Sequence, residues 1–207
     1  GLAEIFKGIG ADAVIEGGQT MNPSTEDILE AVERVNAARI FVLPNNKNII
    51  LAAQQAAKLS REKELIVVPT KNIPQGITAM INFMPDKTPQ ENLESMTAEM
   101  EKVKTASITY AVRDTIIEGV EIHEKDIMAL GDQGVLAAGP VLEEIVLAAL
   151  RKMTDADSEL VSLYYGQDVT AEQAQALLAK ARQALPQVEF ELQEGGQPVY
   201  YYFISVE

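Results

Sequence analysis

A chain of 207 residues with 47% apolar and 23% charged side chains is long and apolar enough to bury a core, which excludes a disordered class. Its 17 basic residues against 31 acidic ones leave a formal charge of −14, which argues against binding to a nucleic-acid backbone or to anionic lipid surfaces. No cysteine and a single histidine exclude disulfides, thiolate nucleophiles, zinc fingers and multi-histidine metal sites, while a carboxylate-only Mg²⁺ or Ca²⁺ site stays open.

Leu2 to Gly8 reads as a helix, and a chain that opens on Gly1 and enters helix-like sequence at once is expected to be a piece of a longer polypeptide. Its start lacks the basic residues of a signal peptide, and no apolar run reaches the ~20 residues that span a bilayer, so the chain reads as cytoplasmic. Ala13 to Glu16 is predicted as a strand, followed by a helix from Ser24 to Asn36 with Ile28, Ala31, Val32 and Val35 on one face. Either Asn22 or Ser24 can cap that helix, Pro23 suits a first helical position, and Ser24-x-x-Asp27 approximates a capping box. Alternation then continues with a strand at Arg39 to Leu43, a helix at Lys47 to Leu59, a strand at Leu65 to Val68 and a helix at Ile73 to Phe83. Short apolar strands between helices predict a parallel sheet covered on both faces. Pro85 to Pro89 breaks the alternation, and Pro89 to Lys104 reads as a longer exposed helix bearing Glu91, Glu94, Glu99, Glu101 and Lys102.

From Ser107 the character changes. Strands are predicted at Ser107 to Arg113 and Thr115 to His123, and a hairpin joins Ile127–Leu130 to Val135–Ala138 around Gly131-Asp132-Gln133-Gly134. Pro140 opens a helix to Met153 with Leu142, Ile145, Val146 and Ala149 as its apolar face. Glu159 to Tyr165 is a strand, the capping box Thr170-x-x-Gln173 starts a helix that ends at Pro186, and Val188–Leu192 and Val199–Val206 are expected to close as a pair across Gly195-Gly196. The predicted class is therefore α/β in two lobes: residues 1–105, Rossmann-like, with a doubly wound, mainly parallel sheet and a polar crevice, and residues 106–207, with a mixed sheet and helices.

Three junctions in the first lobe carry what chemistry the chain offers. They are Gly17-Gly18-Gln19-Thr20-Met21-Asn22-Pro23-Ser24-Thr25-Glu26-Asp27, then Pro44-Asn45-Asn46-Lys47-Asn48, then Pro69-Thr70-Lys71-Asn72. Each follows a predicted strand and precedes a predicted helix, so amides, hydroxyls and lysines converge where connections leave the carboxyl ends of a parallel sheet. Unpaired N–H groups and the partial positive charge of helix N-termini favour an anion there, a carboxylate or a phosphate. The candidate binding residues are Gln19, Thr20, Asn22, Ser24, Thr25, Asn45, Asn46, Lys47, Asn48, Thr70, Lys71 and Asn72. The plain alternative is that Asn, Ser and Thr only cap helices.

No catalytic residue is assigned. Gly17-Gly18 belongs to neither a GxGxxG nor a GxxxxGK[ST] pattern and serves as a tight strand exit. His123, among Glu121, Glu124 and Asp126, reads as a surface ion partner, and the pairs Glu143–Glu144 and Asp155–Asp157 as solvated charge. Tyr200-Tyr201-Tyr202-Phe203 alternates across a strand, one side core and the other either a docking patch or a helix-covered face. Tyr164-Tyr165 carries the same two readings.

The first of these junctions, followed by Leu43-Pro44-Asn45-Asn46-Lys47-Asn48, closely resembles the C-terminal domain of the A subunit of bacterial fatty acid kinase, in a dihydroxyacetone-kinase-like or DAK phosphatase family of Gram-positive bacteria; the resemblance covers the whole chain. It implies an N-terminal kinase domain and a middle domain elsewhere in the polypeptide. The kinase domain passes a phosphoryl group from ATP, with Mg²⁺, to a fatty acid carboxylate, and the acyl phosphate feeds phospholipid synthesis. The fatty acid arrives on a separate carrier of the DegV-like lipid-binding family. The kinase motifs have no counterpart here, so the resemblance implies a domain without its own cofactor or catalysis. The domain is also similar to the carriers themselves, which hold the carboxylate in a Thr-Ser-Gln-Pro-Ser loop; the matching positions are Thr20-Met21-Asn22-Pro23-Ser24, departing at Met21 and Asn22. The implied fold is that of the DegV and dihydroxyacetone kinase families, and the implied partners are the loaded carrier and a fatty acid or other small anion; homodimerisation stays open. Dihydroxyacetone kinases tether substrate through a histidine, and His123 matches no such motif. Independent hydrolysis has no visible nucleophile–base pair to support it.

Overall fold

The computed structural model describes residues 1–17 and 22–207, so Gly18, Gln19, Thr20 and Met21 lie outside the described residues. The chain divides into two compact units, one comprising Ala3–Val103 and the other Lys104–Glu207 together with Gly1–Leu2.

In the first unit, β1 (Arg39–Val42) and β2 (Glu64–Val67) pair in parallel, from Arg39 opposite Glu64 to Val42 opposite Val67. Alternation along these strands sends side chains to opposite faces, and helices bury both. On one face Leu65 packs with Ile28 and Val32 of α2 (Thr25–Glu33) and Ala53 and Ala56 of α3 (Lys47–Leu59). On the other, Val68 packs with Ala79 of α4 (Ile73–Ile81) and with Met96 and Met100 of α5 (Pro89–Lys102). The spacing of Asn92, Met96 and Met100 at four residues is what turns an otherwise charged helix inward along one stripe. A short α1 (Leu2–Gly8) precedes them.

One expected strand is missing. Residues 13–17 form neither strand nor helix, and the parallel sheet has two strands among the described residues. Ala13-Val14-Ile15 gives only three apolar residues between Asp12 and Glu16, and Ile15 stays 39% exposed, too little burial to hold a strand in place.

Local signals explain where the helices begin and end. Ser24, not Asn22, caps α2: its hydroxyl accepts from the Asp27 N–H at 3.1 Å, while the Asp27 carboxylate accepts from the Ser24 N–H at 2.9 Å. The Ser24 backbone bond, with its hydroxyl, holds the Asp27 carboxyl below its ordinary value. Lys63 closes the other end, its ammonium reaching the carbonyls of Val32 at 3.1 Å, Glu33 at 3.2 Å and Val35. Buried Asn92 clamps the turn before α5 by accepting from the Met84 N–H and donating to the Met84 carbonyl.

The second unit is built on a six-stranded sheet ordered β7-β6-β3-β10-β8-β9: Gly134–Gly139, Ile127–Gly131, Lys104–Tyr110, Tyr202–Val206, Leu160–Tyr165 and Glu189–Glu194. Only β8 and β9 are parallel within it; the other neighbours run antiparallel. Helices α6 (Leu142–Met153) and α7 (Ala171–Ala184) contribute Val146, Ala149, Leu150, Leu177 and Ala181 to the core on β3, β8 and β10.

Two sequence expectations change here. Val188–Leu192 and Val199–Val206 do not close on each other: β10 lies between β3 and β8, and β9 takes the sheet edge beside β8. Every residue of β10 is buried whereas β9 alternates, so burial assigns β10 to the interior and β9 to the rim. Thr115 to His123 is not one strand but a hairpin of β4 (Thr115–Ile117) and β5 (Val120–Ile122), turned at Glu118 and Gly119, whose φ values of 53° and 80° are those a two-residue I′ turn requires.

Of the tyrosine run, Tyr202 and Phe203 are core, whereas Tyr200 and Tyr201 precede β10 and are half-buried. The Tyr202 side chain is buried with Ile204 and Val206, facing α6 and α7, and burial pushes its phenol up to about 12. Tyr164 is buried as well. For an acid whose folded pKa is raised, the neutral form is favoured in the folded state, so its contribution is complete below the unfolded value near 10 and is lost as pH rises through about 12. Stability is therefore expected to fall across that window and to fall less in Tyr202→Phe, measured by denaturant titration at stepped pH. Equal losses in both proteins would remove Tyr202 as the cause.

Candidate functional site

The junctions after β1 and β2 meet at the carboxyl end of the parallel pair. Asn45 stands at φ 56°, a left-handed conformation that asparagine tolerates better than most residues, and this turns its amide back toward the neighbouring junction. Its backbone N–H donates to the Thr70 hydroxyl oxygen at 2.9 Å, and that hydroxyl donates to Asn45 Oδ1 at 2.8 Å. Thr70 is completely buried, so this reciprocal pair ties the two loops with no competing water at the hydroxyl.

Gly76, in the first turn of α4, completes the arrangement. A Cβ there would lie 2.6 Å from Asn45 Cγ, so only glycine lets the helix approach the amide. Beside it, Asn72 caps α4 by accepting from the Gln75 N–H at 2.9 Å, and Gln75 Oε1 accepts from the Lys71 N–H at 2.9 Å. At the other junction Asn46 caps α3 by accepting from the Asn48 N–H at 2.9 Å. The α2 junction contributes Ser24 as a cap and Thr25, whose hydroxyl donates to Ala52 O at 3.4 Å and Gln55 Oε1 at 3.2 Å.

The placement of the sequence candidates is thus divided. Asn45 and Thr70 touch each other; Asn46 and Asn72 are helix caps at the same end of the two strands; Ser24 and Thr25 are engaged on α2 and α3. The side chains of Lys47 and Lys71 are exposed at the starts of α3 and α4, and Asn48 and Asn22 are exposed too. Gln19 and Thr20 lie outside the described residues. Gly76 and Gln75 were missed; a glycine two residues after Pro74, inside a helix where it costs ~1 kcal/mol relative to alanine, was the available signal. Among the described residues no cluster of three or more carboxylates, histidines or cysteines could hold a metal, and no helix is long and apolar enough to cross a membrane. His123 is exposed, with Nε2 3.9 Å from Glu121 Oε1.

Chemically, the two junctions offer a hydrogen-bonded polar floor, Asn45–Thr70, between two helix N-termini with a lysine at each. Such a floor can orient an anion or a partner's polar group.

Known proteins resemble this chain in sequence or in fold. A Staphylococcus aureus (strain USA300) protein described as uncharacterized is 44% identical over 207 residues, all of this chain but 38% of that protein, so the chain spans well under half the length of such relatives. Among solved structures, DegV, a fatty acid binding protein from Bacillus subtilis, superposes with a TM-score of 0.60 at 10% identity, over 90% of this chain and 77% of that one. The dihydroxyacetone kinase of C. freundii superposes with a TM-score of 0.56 at 11% identity, over 90% of this chain and 41% of that one. At such identities the likeness is one of fold, and it establishes the DegV and dihydroxyacetone kinase-like α/β architecture. The sequence itself matches, over residues 1–207, the FakA-like C-terminal family, that of the C-terminal domain of proteins like the A subunit of fatty acid kinase, and the chain belongs to that family.

Proposed function

We propose that this chain is the non-catalytic C-terminal domain of a fatty acid kinase and that it docks a fatty-acid-loaded carrier protein of the DegV-like kind. The observation that carries this reading is the family match over all 207 residues. In it, ATP and Mg²⁺ act in another part of the same polypeptide, and this domain holds the carrier so that the acyl carboxylate meets the γ-phosphate. Phosphoryl transfer depends chiefly on positioning and charge stabilisation, so a domain that only places the substrate can govern the rate. The engagement of Ser24, Asn46 and Asn72 in capping, and of Asn45 with Thr70, supports a preformed surface, not a pocket of uncommitted polar groups. Calorimetry of this chain with a DegV-like protein loaded with fatty acid is expected to show saturable binding. Heat no greater than dilution would reject the reading.

A second reading has one observation in its favour: the Asn45–Thr70 pair, half-buried at Asn45, with Lys47 and Lys71 at adjoining helix starts. In it, the crevice itself takes a fatty acid carboxylate or a phosphate, through Thr20, Asn22, Ser24, Asn45, Lys47 and Lys71. Native mass spectrometry separates the two, because a copurifying acid belongs to this reading and an empty domain that binds carrier belongs to the first.

A further inference from the structure

The outer edge of β2 is an unused hydrogen-bonding ladder. The Glu64 N–H donates to Ala38 O at 2.9 Å and the Val68 N–H to Val42 O at 3.0 Å, so the even-numbered residues of this strand turn their backbone groups toward β1. By strand alternation, Leu65 and Val67 turn theirs outward, and among the described residues no strand but β1 pairs with β2. That edge is not open water. A groove of about 510 Å³ runs beside it, lined by Glu64, Leu65, Ile66 and Val67, by Thr88, Pro89, Gln90 and Leu93 of the α5 start, and by Arg39. Four consecutive β2 residues, drawn from both faces of the strand, can line one groove only along its edge. Leu65 and Ile66 are buried while their sheet ends there. The edge is short and opens on the charged Glu64, but it carries no lysine, proline or bulge along Leu65–Val67.

We propose that this edge takes up an extended strand of the docked partner, which joins β1 and β2 as a third strand. This rests on the docking reading and names its surface. A strand answers the chemistry of the groove better than a helix or a small molecule, because only an extended backbone presents N–H and C=O groups at the two-residue period of Leu65 and Val67. Its side chains alternate between Leu93, which asks for an apolar neighbour, and the exposed Arg39–Glu64 ion pair at 3.2 Å, which asks for a polar one. From β2 the chain leads through Val68 and Pro69 to Thr70, so a strand added in either direction has one end near the Asn45–Thr70 pair.

Val67→Pro tests this directly, since it deletes an outward N–H and leaves the β1-facing donors of Glu64 and Val68 in place, and edges tolerate proline. With the same fatty-acid-loaded DegV-like protein as probe, calorimetry is expected to show affinity for Val67→Pro weakened ~10-fold or more, at an unchanged circular dichroism spectrum. Hydrogen exchange on the unaltered chain is expected to slow at the Leu65 and Val67 amides when the probe is added; if the proline variant fails to fold, this measurement decides alone. Binding of the unaltered chain with no slowing at those amides, or equal affinity in a folded Val67→Pro, overturns the edge and leaves docking standing. No binding by the unaltered chain overturns both.

Discussion

Ile204→Ala is expected to destabilise the second unit by about 2–5 kcal/mol, the range for truncating a fully buried aliphatic side chain. Ile204 is 0% exposed in β10, the strand flanked on both sides, opposite Ala106 of β3 and Leu163 of β8. The alanine removes three methyl or methylene groups, and the neighbours cannot close the space, because the strand positions on either side are set by two hydrogen-bonded ladders. Against a total stability of about 5–15 kcal/mol for an ordinary domain, this is a large fraction. Urea unfolding should show a lower midpoint with an unchanged slope. Ile116→Ala is the control: Ile116 is 72% exposed on β4, and its change is expected within about ±0.5 kcal/mol. Similar midpoints for the two variants would refute the placement of β10 inside the sheet.

Gly76→Ala is expected to cost about 1–3 kcal/mol on balance, although alanine ordinarily improves a helix interior by ~1 kcal/mol. The new methyl group enters the space of the Asn45 amide, which is short, sits on a left-handed backbone and is held by Thr70. Moving the amide leaves the buried Thr70 hydroxyl without its acceptor, a cost of about 1–3 kcal/mol before any strain. Thr70→Val removes that hydroxyl, so a double-mutant cycle isolates the contact: the alanine should cost less by ~1 kcal/mol in the valine background. Strict additivity would mean that Gly76 and Thr70 do not communicate through Asn45. If the Asn45–Thr70 floor also positions the partner, carrier affinity should fall with Gly76→Ala even where the fold survives.

The polar junctions were readable because capping is local. Ser24-x-x-Asp27 and Thr170-x-x-Gln173 form capping boxes as their spacing predicts, Asn46 and Asn72 cap α3 and α4, and Lys47–Leu59 is a helix to the residue. Each depends on bonds spanning two to four residues, which composition and spacing encode directly. Thr70 and Asn45 were legible as polar residues near strand ends but not as partners, since 25 positions separate them and only the parallel pairing of β1 with β2 brings them together. Asn92 carried no signal, because a buried asparagine clamping Met84 has the same sequence appearance as an exposed one on a charged helix.

By itself the sequence determined the α/β class, the starts of the capped helices, the absence of thiol and multi-histidine chemistry, and a family resemblance carried by two long polar motifs. Tertiary structure alone decided that residues 13–17 stay unpaired, that β10 leaves β9 for the middle of the sheet, and that β2 keeps one edge beside a groove. The physical reason is the range of the interactions. Caps and turns are settled by near neighbours, whereas strand order is settled by which apolar faces can be buried at once, a competition among segments as distant as Thr109 and Val199, whose hydroxyl-to-carbonyl bond of 3.0 Å spans 90 positions.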